Sequence, residues 1–221
     1  MGSRPDEARA TALAHDVRAG LRPPTRPAWS DSPDLFRTIW TRPRATVRWA
    51  LDHGTGRLAI PIVAAAAVAE VVADPDLLAG IEYFGRLGWP PALALGVVAG
   101  CVLWGLLALS LLAAGRALGG VATLAETTTA LAWALVPAAA ALPFALLVAL
   151  GRAGSLPLVA FPGVIVAKGL GLWSLVTTVK AVAEAHRFSA MRAWGTLLLV
   201  LAVWIVLAAV LGLVAPSVLE S

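Results

Sequence analysis

Four ionisable side chains lie where the surrounding sequence leaves them little water: Glu126, Lys180, Glu184 and His186. A charge placed in hydrocarbon costs about 2.5–3.5 kcal/mol or more, so each such group needs a partner or a task. At helical spacing, Thr123, Glu126, Ala130 and Trp133 share one face, and Thr177, Lys180, Glu184 and Arg187 share another. The pattern predicts an intramembrane polar cluster built on a Glu126–Lys180 ion pair, with Glu184 and His186 beside it. Three readings remain open for it. It is a polar clamp holding two helices together, the lining of a water-filled cavity or an ion or lipid pathway, or a set of side chains that simply snorkel to the interface. In the second case Glu126 and Lys180 would be the working residues of a small transport or channel component. Glu70 and Lys168 are expected towards the opposite end.

Catalysis finds no support in the residue pattern. His15, His53 and His186 are far apart, and none has a second ligand at a metal-binding spacing. The chain has no HExxH, no GxSxG and no GxxxxGK[ST]. The Gly115–Gly120 stretch is glycine-rich but lacks the Lys and hydroxyl of a phosphate loop, so it reads as a tight turn. Ser174 and His186 stand 12 residues apart and do not face each other. Neither an enzyme nor a cofactor or metal site is expected. Cys101 is the single cysteine and sits in an apolar run, where a buried, inert thiol is the default.

The elements that must position these residues follow from composition. The chain is 59% hydrophobic and 14% charged, with a mean hydropathy of +0.83. A soluble domain carries roughly 25% charged residues, so polar surface is short here. About 20 consecutive apolar residues cross a bilayer core. Runs over 58–73, 90–114, 121–150, 156–183 and 194–215 approach or exceed that length. The reading is an all-α, polytopic membrane bundle of about five spans over 58–216. The first run has only 16 residues and contains Pro61 and Glu70, so its span is short. The third is long enough to bend at Pro137 and Pro143, and Gly96-xxx-Gly100 offers a close-packing face in the second.

Ahead of the bundle, residues 1–31 are rich in Arg and Pro and read as a mobile tail. Residues 32–57 read as amphipathic interfacial helices. Ser32-Pro33 and Thr41-Arg42-Pro43 are start signals, Leu35, Phe36, Ile39 and Trp40 form one apolar stripe, and Val47, Ala50 and Leu51 form the next. These helices are expected either to lie on the membrane or to pack on the ends of the spans. Arg37, Arg42, Arg44 and Arg48 would then face anionic headgroups.

Ten of the 17 Lys and Arg residues, all Arg, precede Leu58. Basic residues beside a span hold a loop in the cytoplasm more readily than they mark a nucleic-acid binder, and no nucleic acid is expected as partner. Arg116, then Arg187 and Arg192, fall in loops on the N-terminal side, against Asp74, Asp76, Glu82, Arg86 and Arg152 opposite. This predicts a cytoplasmic N-terminus and an outward C-terminus. The abundance of Ala, Arg, Val and Leu suits a GC-rich bacterial coding sequence and the bacterial cytoplasmic membrane.

Several segments resemble one family. Trp40-Thr41-Arg42-Pro43-Arg44-Ala45-Thr46, the Gly119-Gly120 turn followed by Glu126, Leu131-Ala132-Trp133-Ala134-Leu135-Val136-Pro137, and Leu172-Trp173-Ser174-Leu175 leading to His186-Arg187-Phe188-Ser189 are similar to bacterial Yip1-domain proteins. The resemblance covers about residues 35–215 and implies a five-span bundle with a cytoplasmic N-terminus. Eukaryotic relatives act in membrane traffic and bind small GTPases of the Rab type. Here Asp34-Leu35-Phe36 only echoes their Asp-Leu-Tyr-Gly-Pro segment, and Ala132-Trp133-Ala134-Leu135-Val136-Pro137 replaces their Gly-Tyr-Ser-Leu-x-Pro, so GTPase binding does not carry over. The expected function is non-enzymatic, through contacts with the lipid bilayer, a membrane-protein partner or further copies of the chain.

Overall fold

The computed structural model describes residues 34–73, 89–154 and 156–219. The tail expected over 1–31, the Ser32-Pro33 start signal and the loop holding Asp74, Asp76, Glu82 and Arg86 lie outside them. The chain divides into two units, 1–35 and 36–221, and the architecture below is that of the second.

Among the described residues every regular element is helical. Two short helices come first, α1 (Leu35–Thr38) and α2 (Pro43–Asp52), followed by a 3-10 turn (Thr55–Leu58). The bundle then comprises α3 (Ala59–Ala73), α4 (Trp89–Ala117), α5 (Leu124–Ala134), α6 (Val136–Ala139), α7 (Leu142–Ala153), α8 (Pro157–Ala185) and α9 (Ala190–Leu219). Four stretches are long and apolar enough to cross a membrane: Thr55–Ala73, Leu93–Ala117, Ala160–Ala185 and Ala190–Val210. The pair Leu124–Ala139 and Leu142–Arg152, bent by 42°, makes a fifth if it is one broken span. The 3-10 turn lengthens the short first run to 19 residues. The last helix passes Pro216, where the expectation ended it at 215; losing one ladder bond near a helix end is tolerated in an apolar span.

The bend has an identifiable cause. Pro137 and Pro143 each lie in the first turn after a break, at Leu135 and at Ala140–Ala141. A proline donates no N–H to the turn before it, so the backbone hydrogen-bond ladder is interrupted there. The Thr177 hydroxyl of α8 donates to the Ala134 carbonyl at 2.8 Å. A polar group at membrane depth thereby keeps a partner.

Small residues let the helices approach closely. Gly96 packs on Val71 and Gly100 on Ala67, so the Gly-xxx-Gly face is the seam between α4 and α3. A central cluster joins Ala108 and Leu111 of α4, Leu131 of α5, Val179 and Val182 of α8, and Val200 of α9. Trp104 extends from it into a second cluster of Ala59, Val63 and Ala132. Outward-facing side chains on α4, α8 and α9 are large and apolar, among them Leu95, Val102, Ile165, Leu172, Ile205 and Val206. This is a surface suited to lipid rather than water.

The apolar stripe of α2 turns inward. α2 begins with Pro43 at its first position, as the sequence predicts. It buries Pro43, Thr46, Val47 and Ala50, with Val47 and Ala50 at 0% exposure, and packs against α5 and α8. The stripe packs on the ends of the spans, one of the two arrangements expected for it.

Candidate functional site

The charged residues gather at the end of the bundle formed by α2, the start of α5 and the close of α8. Glu184 lies in the last turn of α8 and is buried. Arg44 and Arg48, one turn apart on α2, both reach it. The Arg44 Nε–H donates to Glu184 Oε2 at 3.4 Å, and Arg48 donates to Glu184 Oε1. A guanidinium N–H of Arg44 also donates to the Phe188 carbonyl at 3.5 Å. A carboxylate held by two guanidinium groups is a strong, oriented pairing. It fastens α2 to the bundle.

The expected partners are therefore rearranged. Arg44 and Arg48 reach a protein carboxylate, and all four arginines, Arg37 and Arg42 included, are exposed. Glu126 is not joined to Lys180 by an ion pair among the described residues. Helix α5 starts at Leu124, later than the apolar run suggests, which puts Glu126 in its first turn. There it completes a capping box: the Thr123 N–H donates to Glu126 Oε2 at 2.7 Å, and the Glu126 N–H donates to Thr123 Oγ1 at 3.2 Å. Lys180, one turn before Glu184, is half-buried. Of the four expected members, Glu126 and Glu184 line one cavity and His186 sits under the adjoining corner.

That corner explains His186. Helices α4 and α8 end in the same motif. In α4 the Gly120 N–H donates to the Gly115 carbonyl and the Gly119 N–H to the Arg116 carbonyl, with Gly119 at φ +87. In α8 the Phe188 N–H donates to the Ala183 carbonyl and the Arg187 N–H to the Glu184 carbonyl, with Arg187 at φ +57. The His186 ring fills the space between the two corners. A Cβ on Gly115 or Gly120 would overlap it, and Phe188 stacks on it at 5.2 Å. The ring is 1% exposed, and neither nitrogen has a hydrogen-bond partner of good geometry. Burial, reinforced by the nearby Arg116 guanidinium, holds the imidazole below its ordinary pKa.

Arg187 is the one non-glycine residue with positive φ among the described residues. An L-residue in that region costs about 1–2 kcal/mol, which glycine avoids at the equivalent position in α4. Its side chain borders a cavity of about 450 Å³, with Arg44, Arg48, Asp52, Glu126 and Glu184 on the other walls.

Two contacts escaped the sequence reading. The buried Trp133 indole N–H donates to Thr55 Oγ1 at 2.8 Å, and Thr55 in turn donates to the Ala50 carbonyl. This ties α5 to the junction between α2 and α3. The Trp204 N–H donates to Ser110 Oγ at 3.3 Å, joining α9 to α4. A tryptophan N–H in an apolar run usually finds an acceptor, and that tendency was the signal available in both cases, although the Trp104 N–H is buried without one. Among the described residues no group of three or more His, Cys, Asp and Glu side chains is placed to hold a metal ion.

Neither a curated protein nor a solved structure matches the chain. A family model does. The Yip1 domain matches residues 37–213, which takes in α2, the corners of α4 and α8 and every candidate span. This multi-pass membrane protein belongs to the Yip1 family.

Proposed function

We propose that this chain is a non-enzymatic membrane protein that works through contacts with anionic lipid and with other membrane proteins at its α2 end. The observation that supports it is the distribution of charge. Exposed Arg37, Arg42, Arg44, Arg48, Arg57, Arg116, Arg187 and Arg192 all belong to that end, above a body of exposed apolar side chains. Such a basic collar supports a cytoplasmic side for the α2 end, in keeping with a cytoplasmic N-terminus and an outward C-terminus. Composition favours the bacterial cytoplasmic membrane. The transport alternative draws no support from Glu126, whose carboxylate is engaged in capping its own helix.

The test is lipid enrichment around the full chain in vesicles of mixed phosphatidylglycerol and phosphatidylcholine, read with spin-labelled lipids. Arg37→Gln with Arg42→Gln should weaken the preference for the anionic lipid, by about 1 kcal/mol per basic residue near the surface. An unchanged preference in that variant refutes the reading.

A further inference from the structure

The cavity at the α2 end has features that a basic collar does not explain. Its walls hold three guanidinium groups, Arg44, Arg48 and Arg187, and three carboxylates, Asp52, Glu126 and Glu184. Their formal charges cancel, so the cavity carries no net positive charge to draw a bare anion. The charges are not equally available either. Glu184 is held through both oxygens by Arg44 and Arg48, and Glu126 is held by Thr123. Among the described residues, the Arg187 guanidinium and the Asp52 carboxylate form no ion pair. Arg48 and Asp52 stand one helical turn apart on the same face of α2. The open positive and negative groups thus face one volume from separate walls, an arrangement complementary to a zwitterion.

The Arg187 backbone points the same way. The corner after α4 reaches its left-handed turn with glycine, and the corner after α8 makes the same turn with arginine. An arginine where the backbone favours glycine invites a role for its side chain, and the cavity it lines offers one. At about 450 Å³ the volume lies in the range of small-ligand pockets, and Leu51 and Phe188 supply apolar lining.

We propose that this cavity binds the headgroup of an aminophospholipid, its phosphate held by Arg187 and its primary ammonium by Asp52. The proposal rests on the reading that the α2 end meets the membrane–water boundary, which brings a lipid rather than a soluble phosphoamine to the cavity. Guanidinium forks match phosphate oxygens. A carboxylate distinguishes a primary ammonium, which donates hydrogen bonds, from the quaternary ammonium of choline.

The experiment uses the full chain in detergent micelles with equimolar phosphatidylethanolamine, phosphatidylglycerol and phosphatidylcholine, with retained lipid read by native mass spectrometry. The wild type should retain phosphatidylethanolamine. Arg187→Gly should keep or raise the unfolding temperature while losing about tenfold in retention, the size of one charge-assisted contact. Asp52→Asn should lose the discrimination between ethanolamine and choline lipids. Retention of phosphatidylglycerol or phosphatidylcholine over phosphatidylethanolamine by the wild type overturns the proposal, as does wild-type retention in Arg187→Gly and Asp52→Asn. Glycerophosphoethanolamine added to delipidated protein separates the sources: stabilisation equal to that given by the lipid would overturn the lipid assignment. Unchanged phosphatidylethanolamine retention in the Arg37→Gln/Arg42→Gln variant shows that the cavity stands whether or not the collar reading holds.

Discussion

Removing the two arginines that hold Glu184 should destabilise the protein more than removing Glu184 itself. The Glu184 side chain is 7% exposed, whereas those of Arg44 and Arg48 are 50% and 69% exposed. In Glu184→Gln both guanidinium groups swing into water, and what is lost is the hydrogen bonding to a charged group, about 1.5–3 kcal/mol. Exposure of the arginines puts the expected cost at the lower end of that range. In Arg44→Met/Arg48→Met the carboxylate stays buried without its cations, and uncompensated buried charge costs about 3–5 kcal/mol. At about 2–4 °C per kcal/mol for a chain of this length, the double variant should melt roughly 10 °C below wild type, and Glu184→Gln only a few degrees below. The triple variant, with Gln beside two methionines, should melt above the double variant because no charge is stranded. Thermal unfolding in detergent can be followed through the single half-buried Cys101 with a thiol-reactive dye. A double variant no less stable than Glu184→Gln, or a triple variant at the additive sum, would show that Arg44 and Arg48 do not compensate the buried carboxylate.

Two further outcomes follow from the same end and from the bend. His186 is buried neutral, with its folded pKa below the ordinary value of 6.5. Above about pH 6.5 both states are neutral and stability is complete; as pH falls below that the unfolded chain takes up the proton first, and stability declines by at most about 1.4 kcal/mol per pH unit until the folded value is reached. Thermal scans from pH 8 to pH 5 should show this slope, and His186→Leu should flatten it. Thr177→Val leaves the Ala134 carbonyl at the bend without its donor and should cost about 0.6–1.7 kcal/mol. Thr178→Val, whose hydroxyl donates only to Ser174 in its own helix, serves as the control in the same thermal assay.

The fold was legible because hydropathy and proline act locally. The spans follow from apolar length, the bend from Pro137 and Pro143, the start of α2 from Pro43, and the α3–α4 seam from Gly96 and Gly100. The charge partners were less legible because they depend on where a helix begins. Apolar residues from Val121 suggested a span already under way at Glu126, but Thr123 caps the helix and returns the carboxylate to the first turn. A shift of one turn removes it from the depth assigned to Lys180. The true pairing joins residues 140 positions apart, Arg44 and Glu184, and needs the packing of α2 on α8 to be known. Opposite charges at helical spacing reveal which face is polar. They do not reveal which distant helix supplies the counter-charge.

The two corners at this end show how one structural device serves different purposes. Both helices close with the same pair of backbone hydrogen bonds and one left-handed residue. Around Gly119 the glycines have two separate causes: Gly119 takes the left-handed φ, and Gly115 and Gly120 leave the space that the His186 ring fills. Around Arg187, packing demands no arginine, since the side chain is exposed and the backbone would be easier with glycine. Geometry shared by both corners cannot explain the difference between them. The second corner borders the charge-balanced cavity that Asp52 also lines, and the proposed headgroup site is what would account for the arginine there. If Arg187→Gly stabilises the chain and leaves lipid retention intact, that explanation fails while the structural account of both corners stands.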